Sequence, residues 1–249
     1  MYLMNKERLG RVAGWALLAA LGLGTAYYLF FFHAPAAAAF SPARHPGETL
    51  IVDAGHGGED GGAVSITGVP ESGVNLAIAL KLDQILGLYG APPTLLRSED
   101  ISIHDPSAGT LREKKVSDLH NRVAAIEAAQ NATLISIHQN TYTSAKYHGA
   151  QVFYANGELS LPFAQQTQEL LRQAVDPENS RVPAKIPDTV YLMNHISCRA
   201  ILVECGFLSN PEEEQKLLSD EYQTKIASAL CASWLQTLTN EEAQPQYEG

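Results

Sequence analysis

Two histidines and a glutamate stand where apolar runs of this chain stop. His56 lies in "GHGGEDGG" after "TLIVDA", His138 closes "LISIH", and Glu204 nearly closes "AILVEC". A fourth candidate, Glu71, opens a helix-like stretch in "PESGVN". Two histidines and one carboxylate, with a fourth position left to water, are the donor set of a catalytic zinc. The spacing is not the short helical H-E-x-x-H, so the sequence alone does not show that these side chains converge. Each also has a plain structural reading. A histidine at a strand end is commonly an ordinary hydrogen-bonded residue, and a glutamate in a first helical turn complements the helix dipole. Glu204 resists that reading, because an unpaired carboxylate in so apolar a strand is costly to bury.

Nucleophilic chemistry fits less well. Along "AILVEC", Ala200, Leu202 and Glu204 share one face and Ile201, Val203 and Cys205 the other, so Cys205 points away from whatever Glu204 addresses. Ser72 and Ser136 occupy no G-x-S-x-G elbow. Three cysteines, Cys198, Cys205 and Cys231, are too few and odd in number for a disulfide framework and read as small buried hydrophobes.

The candidates need elements to hold them. "TLIVDA", "PTLLR", "ATLISIH", "GAQVFYA" and "RAILVEC" read as strands. Between them, "GVNLAIALKLDQILGLYG" places Val74, Ile78, Leu82, Ile85 and Leu86 at helical spacing, "VSDLHNRVAAIEAAQ" is amphipathic, and "LPFAQQTQELLRQAV" is helical. "NPEEEQKLLSD" and "EYQTKIASALCASWLQTL" supply closing helices. Alternating strand and helix predicts a single α/β domain whose central sheet, mostly parallel or mixed, carries helices on both faces. In such sheets ligands gather beyond the carboxyl ends of the strands, where His56, His138 and Glu204 fall.

The expected domain spans residues 49–238, after a linker over 33–48 rich in Ala and Pro and before a polar tail over 239–249. Residues 12–32 are an uncharged apolar run, long enough to cross a bilayer as a helix, and residues 1–11 form its basic flank. Lys6, Arg8 and Arg11 keep that flank in the cytoplasm, which places the domain outside the membrane. The segment is expected to stay as an anchor; cleavage in "HAPAAAAF" would instead release a secreted domain. Residues 1–48 carry Lys6, Arg8, Arg11 and Arg44 against Glu7 and Glu48, so the chain's net charge of −10 leaves −12 on the rest. Such a domain repels nucleic acid.

Taken together, "DAGHGGEDGGA", "ESGVNLAIALKL", "DLHNRVAAIEA", "LISIHQN", "GAQVFY" and "AILVECGFLSNPEE" resemble, in this order, the zinc-dependent N-acetylmuramoyl-L-alanine amidases of the type-3 amidase family, from about Thr49 to Leu238. Within it, "LREKKVSDLHNRV", "YHGAQVFYANGE", "YLMNH" and an anchored single domain are most similar to the germination-specific, CwlD-type enzymes of spore formers. The resemblance implies one catalytic zinc on His56, Glu71 and His138, with Glu204 as catalytic glutamate. It implies a peptidoglycan substrate, both glycan strand and stem peptide, cut at the amide between the lactyl group of N-acetylmuramic acid and L-alanine. It also implies a role in spore cortex, a deacetylase acting on the product to help form muramic δ-lactam, and room for an activating partner protein. Asn140 matches a position that touches substrate, with a local turn bond as the alternative; Asp53 and Asp60 are candidates to orient His56, or simply to fix the turn. Arg122 matches a family position and reads as a structural ion pair. His195 has no assigned role, and Cys198 and Arg199 stand where many relatives carry a proline before "AILVE". A wall-binding module that has lost catalysis, or another zinc hydrolase of peptides or amino sugars, are the competing readings.

Overall fold

Short apolar runs of the expected domain become the central strands, since they can be buried on both faces. In the computed structural model, which describes residues 48–242, the strands are β1 (Thr49–Ala54), β2 (Thr94–Leu95), β3 (Ala132–Asn140), β4 (Gln151–Tyr154), β5 (Ala184–Lys185) and β6 (Arg199–Phe207). They form one six-stranded sheet in the order β2-β1-β3-β6-β4-β5. β2, β1, β3 and β6 run parallel, with Asp53 beside Ser136 and His138 beside Glu204. β4 is antiparallel to β6 and parallel to β5, so the sheet is mixed.

The helices are α1 (Glu71–Leu88), α2 (Leu111–Glu127), α3 (Gly157–Val175), α4 (Tyr191–Asn194), α5 (Pro211–Leu217) and α6 (Asp220–Glu242). α1 buries Val74, Ile78, Leu82 and Leu86, the stripe expected from their spacing, against β1 and β3. α6 packs on both α1 and α3 to complete that layer. On the other face, Ile51, Leu134, Ala200 and Leu202 of the sheet meet Ile126 of α2 and Leu192 and Met193 of α4. Period-two alternation then sends Asp53, Ser136 and Glu204 to this second face as well, and Cys205 to the first.

Several boundaries differ from the sequence reading. α2 starts at Leu111 rather than Val116, because Thr110 and Glu113 form a reciprocal capping box that carries the helix through the charged "LREKK". β2 keeps only two residues of "PTLLR". α4 and β5, four and two residues long, were not foreseen. α6 continues to Glu242, past the expected start of the polar tail at Thr239. No helix among the described residues is long and apolar enough to cross a membrane, and the span expected over 12–32 lies outside them.

Candidate metal centre

Parallel pairing brings the carboxyl ends of β1, β3 and β6 to one edge of the sheet, where the chain must leave each strand. Beyond β1 it turns so sharply that His56 itself has φ +61°, a left-handed conformation strained for a residue with a side chain. The turn is held from both sides. Gly57 and Asp60 exchange backbone hydrogen bonds of 2.8 and 3.2 Å, and Arg122 Nη2 donates to the His56 carbonyl at 2.8 Å. A Cβ on Gly57 would lie 2.3 Å from the Ile101 carbonyl oxygen, so the approach of the neighbouring loop admits only glycine there.

Glu71 is the first residue of α1, capped by Pro70 without a side-chain bond. Its carboxylate does not face solvent to complement a dipole; it is buried. Oε1 lies 2.8 Å from His56 Nε2 and 3.2 Å from His138 Nδ1, while Oε2 accepts from the Ala63 N–H at 3.1 Å. The two imidazoles meet edge to face, centroids 5.1 Å apart. One donor atom from each of His56, Glu71 and His138 thus falls within 4.8 Å of the others. Two imidazole nitrogens and one carboxylate oxygen, drawn together at a partly open cleft, are a donor set suited to zinc.

Charge follows this geometry. Without a metal, burial acts against a charged His56, but Asp60 and Glu71 outweigh it and raise its pKa to about 9. Burial opposes ionisation of Glu71 too, yet His138 and His56 hold its carboxyl down at about 2. Glu204 behaves oppositely. Paired in register with His138, it has Oε2 shielded with no hydrogen-bond partner, and burial, with some help from Glu71, pushes its pKa to about 7. A carboxyl poised near neutrality is suited to accept a proton and return it. Cys205 is buried on the opposite face, its thiol held protonated far above the usual range by burial, which disposes of a thiolate nucleophile.

Of the residues expected to orient His56, Asp60 accepts from Nδ1 at 3.0 Å and is itself paired to Lys115 at 2.7 Å. Asp53 does not reach the imidazole. It points into the α2 face, where one oxygen pairs with Arg122 and the other accepts from Ser136 Oγ at 2.7 Å. Its influence on His56 runs only through Arg122, which reads as the structural ion pair expected of it. Asn140 accepts from the Leu208 N–H through its backbone carbonyl, beyond a register shift that separates it from His138.

Three residues escaped the sequence reading. Arg97, buried just past β2, donates to the carbonyls of Ala54, Gly55 and Ser72 at 2.7, 3.0 and 2.8 Å, and so ties the β1 exit to α1. A charged residue closing the apolar "TLLR" was the available signal, the same one that marked Glu204. Asn75 bonds the Gly55 carbonyl at 3.2 Å and Glu71 Oε1 at 3.4 Å, and Lys115 steadies Asp60; neither spacing betrays that role. A cavity of about 280 Å³ opens over His56, His138 and Glu204, with Leu119, Tyr191 and Leu202 also in its walls.

Known proteins resemble this chain in sequence and fold. The N-acetylmuramoyl-L-alanine amidase family matches residues 50–234. The germination-specific N-acetylmuramoyl-L-alanine amidase of Bacillus subtilis is 34% identical over 204 residues, 80% of this chain and 84% of that protein. Among solved structures, the CwlD amidase of Clostridioides difficile, in complex with the GerS lipoprotein, superposes with a TM-score of 0.74 at 36% identity, over 78% of this chain and 99% of that one. An N-acetylmuramoyl-L-alanine amidase from Clostridium difficile 630 does so with a TM-score of 0.66 at 27% identity, over 78% and 98%.

Proposed function

Because this chain belongs to the N-acetylmuramoyl-L-alanine amidase family, we propose that it hydrolyses the amide between the lactyl carbonyl of N-acetylmuramic acid and L-alanine of the stem peptide, using one zinc held by His56, Glu71 and His138. The observation that carries the reading is the convergence of these three side chains beside Glu204, whose buried carboxyl has an oxygen left without a partner.

Zinc supplies Lewis acidity in such a site, polarising the carbonyl and making water acidic enough to attack near neutral pH. The rest is the work of the chain. His56 is held in its tautomer by Asp60, which accepts from Nδ1 and leaves Nε2 free to ligate. Glu204 takes the proton that the attacking water loses and delivers it to the departing nitrogen, since an amine leaves poorly unless protonated. The water oxygen ends on the lactyl carbonyl carbon, the C–N bond breaks, and the peptide leaves with a new L-alanine amino terminus. No covalent intermediate is needed.

The germination-specific relative of Bacillus subtilis and the likeness to the CwlD amidase support a finer reading, in which the product is peptide-free muramic acid of spore cortex that a deacetylase helps convert to the δ-lactam. The lipoprotein bound to the Clostridioides difficile enzyme supports an activating partner of similar kind. Anchoring by residues 12–32 would hold the domain outside the cytoplasm, facing that wall.

The test is mass spectrometry of peptidoglycan from cortex and vegetative wall, digested with the zinc-loaded full chain and then with a muramidase. Free stem peptides beginning with L-alanine, beside peptide-free disaccharides, are expected. Unchanged digests of both walls by protein shown to hold zinc would favour the non-catalytic module of the same fold.

A further inference from the structure

The tract "YLMNH" before β6, and His195 within it, have no part in the chemistry above. Leu192 and Met193 explain themselves: both are buried in the core under α2. Tyr191 does not belong to that core. It is half-buried and lines the cavity that holds His138 and Glu204.

Its ring is held unusually well for a residue on a helix of four residues. His195 stacks on it, with centroids 3.8 Å apart and planes 19° off parallel. The His195 imidazole is fixed in turn by donating from Nδ1 to the Tyr191 carbonyl at 2.8 Å. From the other element of this layer, His120 of α2 approaches the same ring at 5.3 Å. A phenol ring ordered before any ligand arrives loses little entropy when something packs against it.

What packs there follows from the reaction. Around the scissile amide the substrate offers two small apolar groups, the lactyl methyl on one side and the alanine methyl on the other. Leu119, Val190, Tyr191 and Leu202 line the cavity together with its polar side chains. We propose that Tyr191 is a specificity-determining residue, its ring forming the wall against which the methyl groups flanking the scissile amide pack, with His195 as the positioning residue that holds the ring. The inference rests on the amidase reading for the identity of the substrate.

A binding cycle separates this from a merely structural role. Zinc-loaded full-length protein carrying Glu204→Gln, which leaves the ligand intact, is titrated calorimetrically with a muramoyl-L-alanyl peptide and two analogues, one with glycine for alanine and one with glycolyl for lactyl. With Tyr191 present, removal of either methyl weakens binding about fourfold, the worth of one buried methylene. In Tyr191→Ala that penalty falls toward unity. Tyr191→Phe keeps it, His195→Ala reduces it, and His195→Phe restores it. Equal penalties with and without the ring, or a uniform loss of affinity for all three ligands in Tyr191→Ala, overturn the proposal, as does failure of all three to bind when Tyr191 is intact. Binding with the methyl penalty but no cleavage by the protein that retains Glu204 overturns the amidase reading and leaves the wall standing.

Discussion

Glu204 and His138 are neighbours in register, yet their substitutions separate metal binding from proton transfer. Glu204 touches none of the three ligand atoms by hydrogen bond, and its Oε2 has no partner at all, so Glu204→Gln leaves the donor set intact. Zinc content measured by mass spectrometry should stay at one per chain while turnover falls by about 10²–10⁴, the usual share of general acid–base catalysis. His138→Ala removes a ligand and should lose both. Full activity in Glu204→Gln would reject the assignment. His56 sets a second test. In the metal-free protein its pKa is raised from 6.5 to about 9, so the pairing with Asp60 and Glu71 stabilises fully below 6.5 and fades as pH rises through 9. Zinc must displace that proton from Nε2. Apparent affinity, followed by competition with a chelating dye, should therefore climb about tenfold per pH unit between those limits for one proton released. A flat profile would mean that His56 is not a ligand.

At the scale of elements, the site depends on close approaches that glycine allows. Gly62 has φ +70°, and a Cβ there would lie 2.4 Å from Glu71 Cγ and 2.7 Å from His56 Cδ2. Gly62→Ala should thus weaken zinc binding and lower stability by about 1–3 kcal/mol, with far-ultraviolet circular dichroism nearly unchanged because Gly62 lies in a loop and the clash meets only side-chain atoms of Glu71 and His56. α2 supplies a contrast. Its capping box sits in an exposed turn and bonds none of the ligands, so Thr110→Ala should cost about 1 kcal/mol in urea unfolding with zinc affinity unaltered. These two elements also mark what could be read beforehand. β1, β3, β6 and the buried stripe of α1 were legible because apolar runs and 3.6-residue spacing leave a strong trace. α4 and β5 were not, since four or two residues hold no period. At the site, strand ends pointed to His56, His138 and Glu204 and a helix start to Glu71, while family likeness supplied their division into ligands and catalytic glutamate. Convergence was invisible, because it depends on the 57–70 loop, on Arg97 gathering three carbonyls, and on Asn75 reaching across to Gly55.

Across the whole molecule, the three ligands come from separate stretches of chain: the exit of β1, the start of α1 and the end of β3. Glu71 and His138 are 67 residues apart in sequence, and only the parallel pairing of β1 with β3 and the packing of α1 against both brings them within reach. An unfolded chain therefore offers zinc no comparable site, and binding to the folded state alone must stabilise it. At free zinc a hundredfold above the dissociation constant the gain is about 2.7 kcal/mol. For a domain of this size that corresponds to a rise of about 5–10 °C in Tm. Chelation should reverse it, Glu204→Gln should keep it, and His138→Ala should abolish it while folding at the Tm of the metal-free protein. Zinc that bound tightly without raising Tm would have to bind the unfolded chain equally well, and the convergence at the sheet edge would then have no part in holding it.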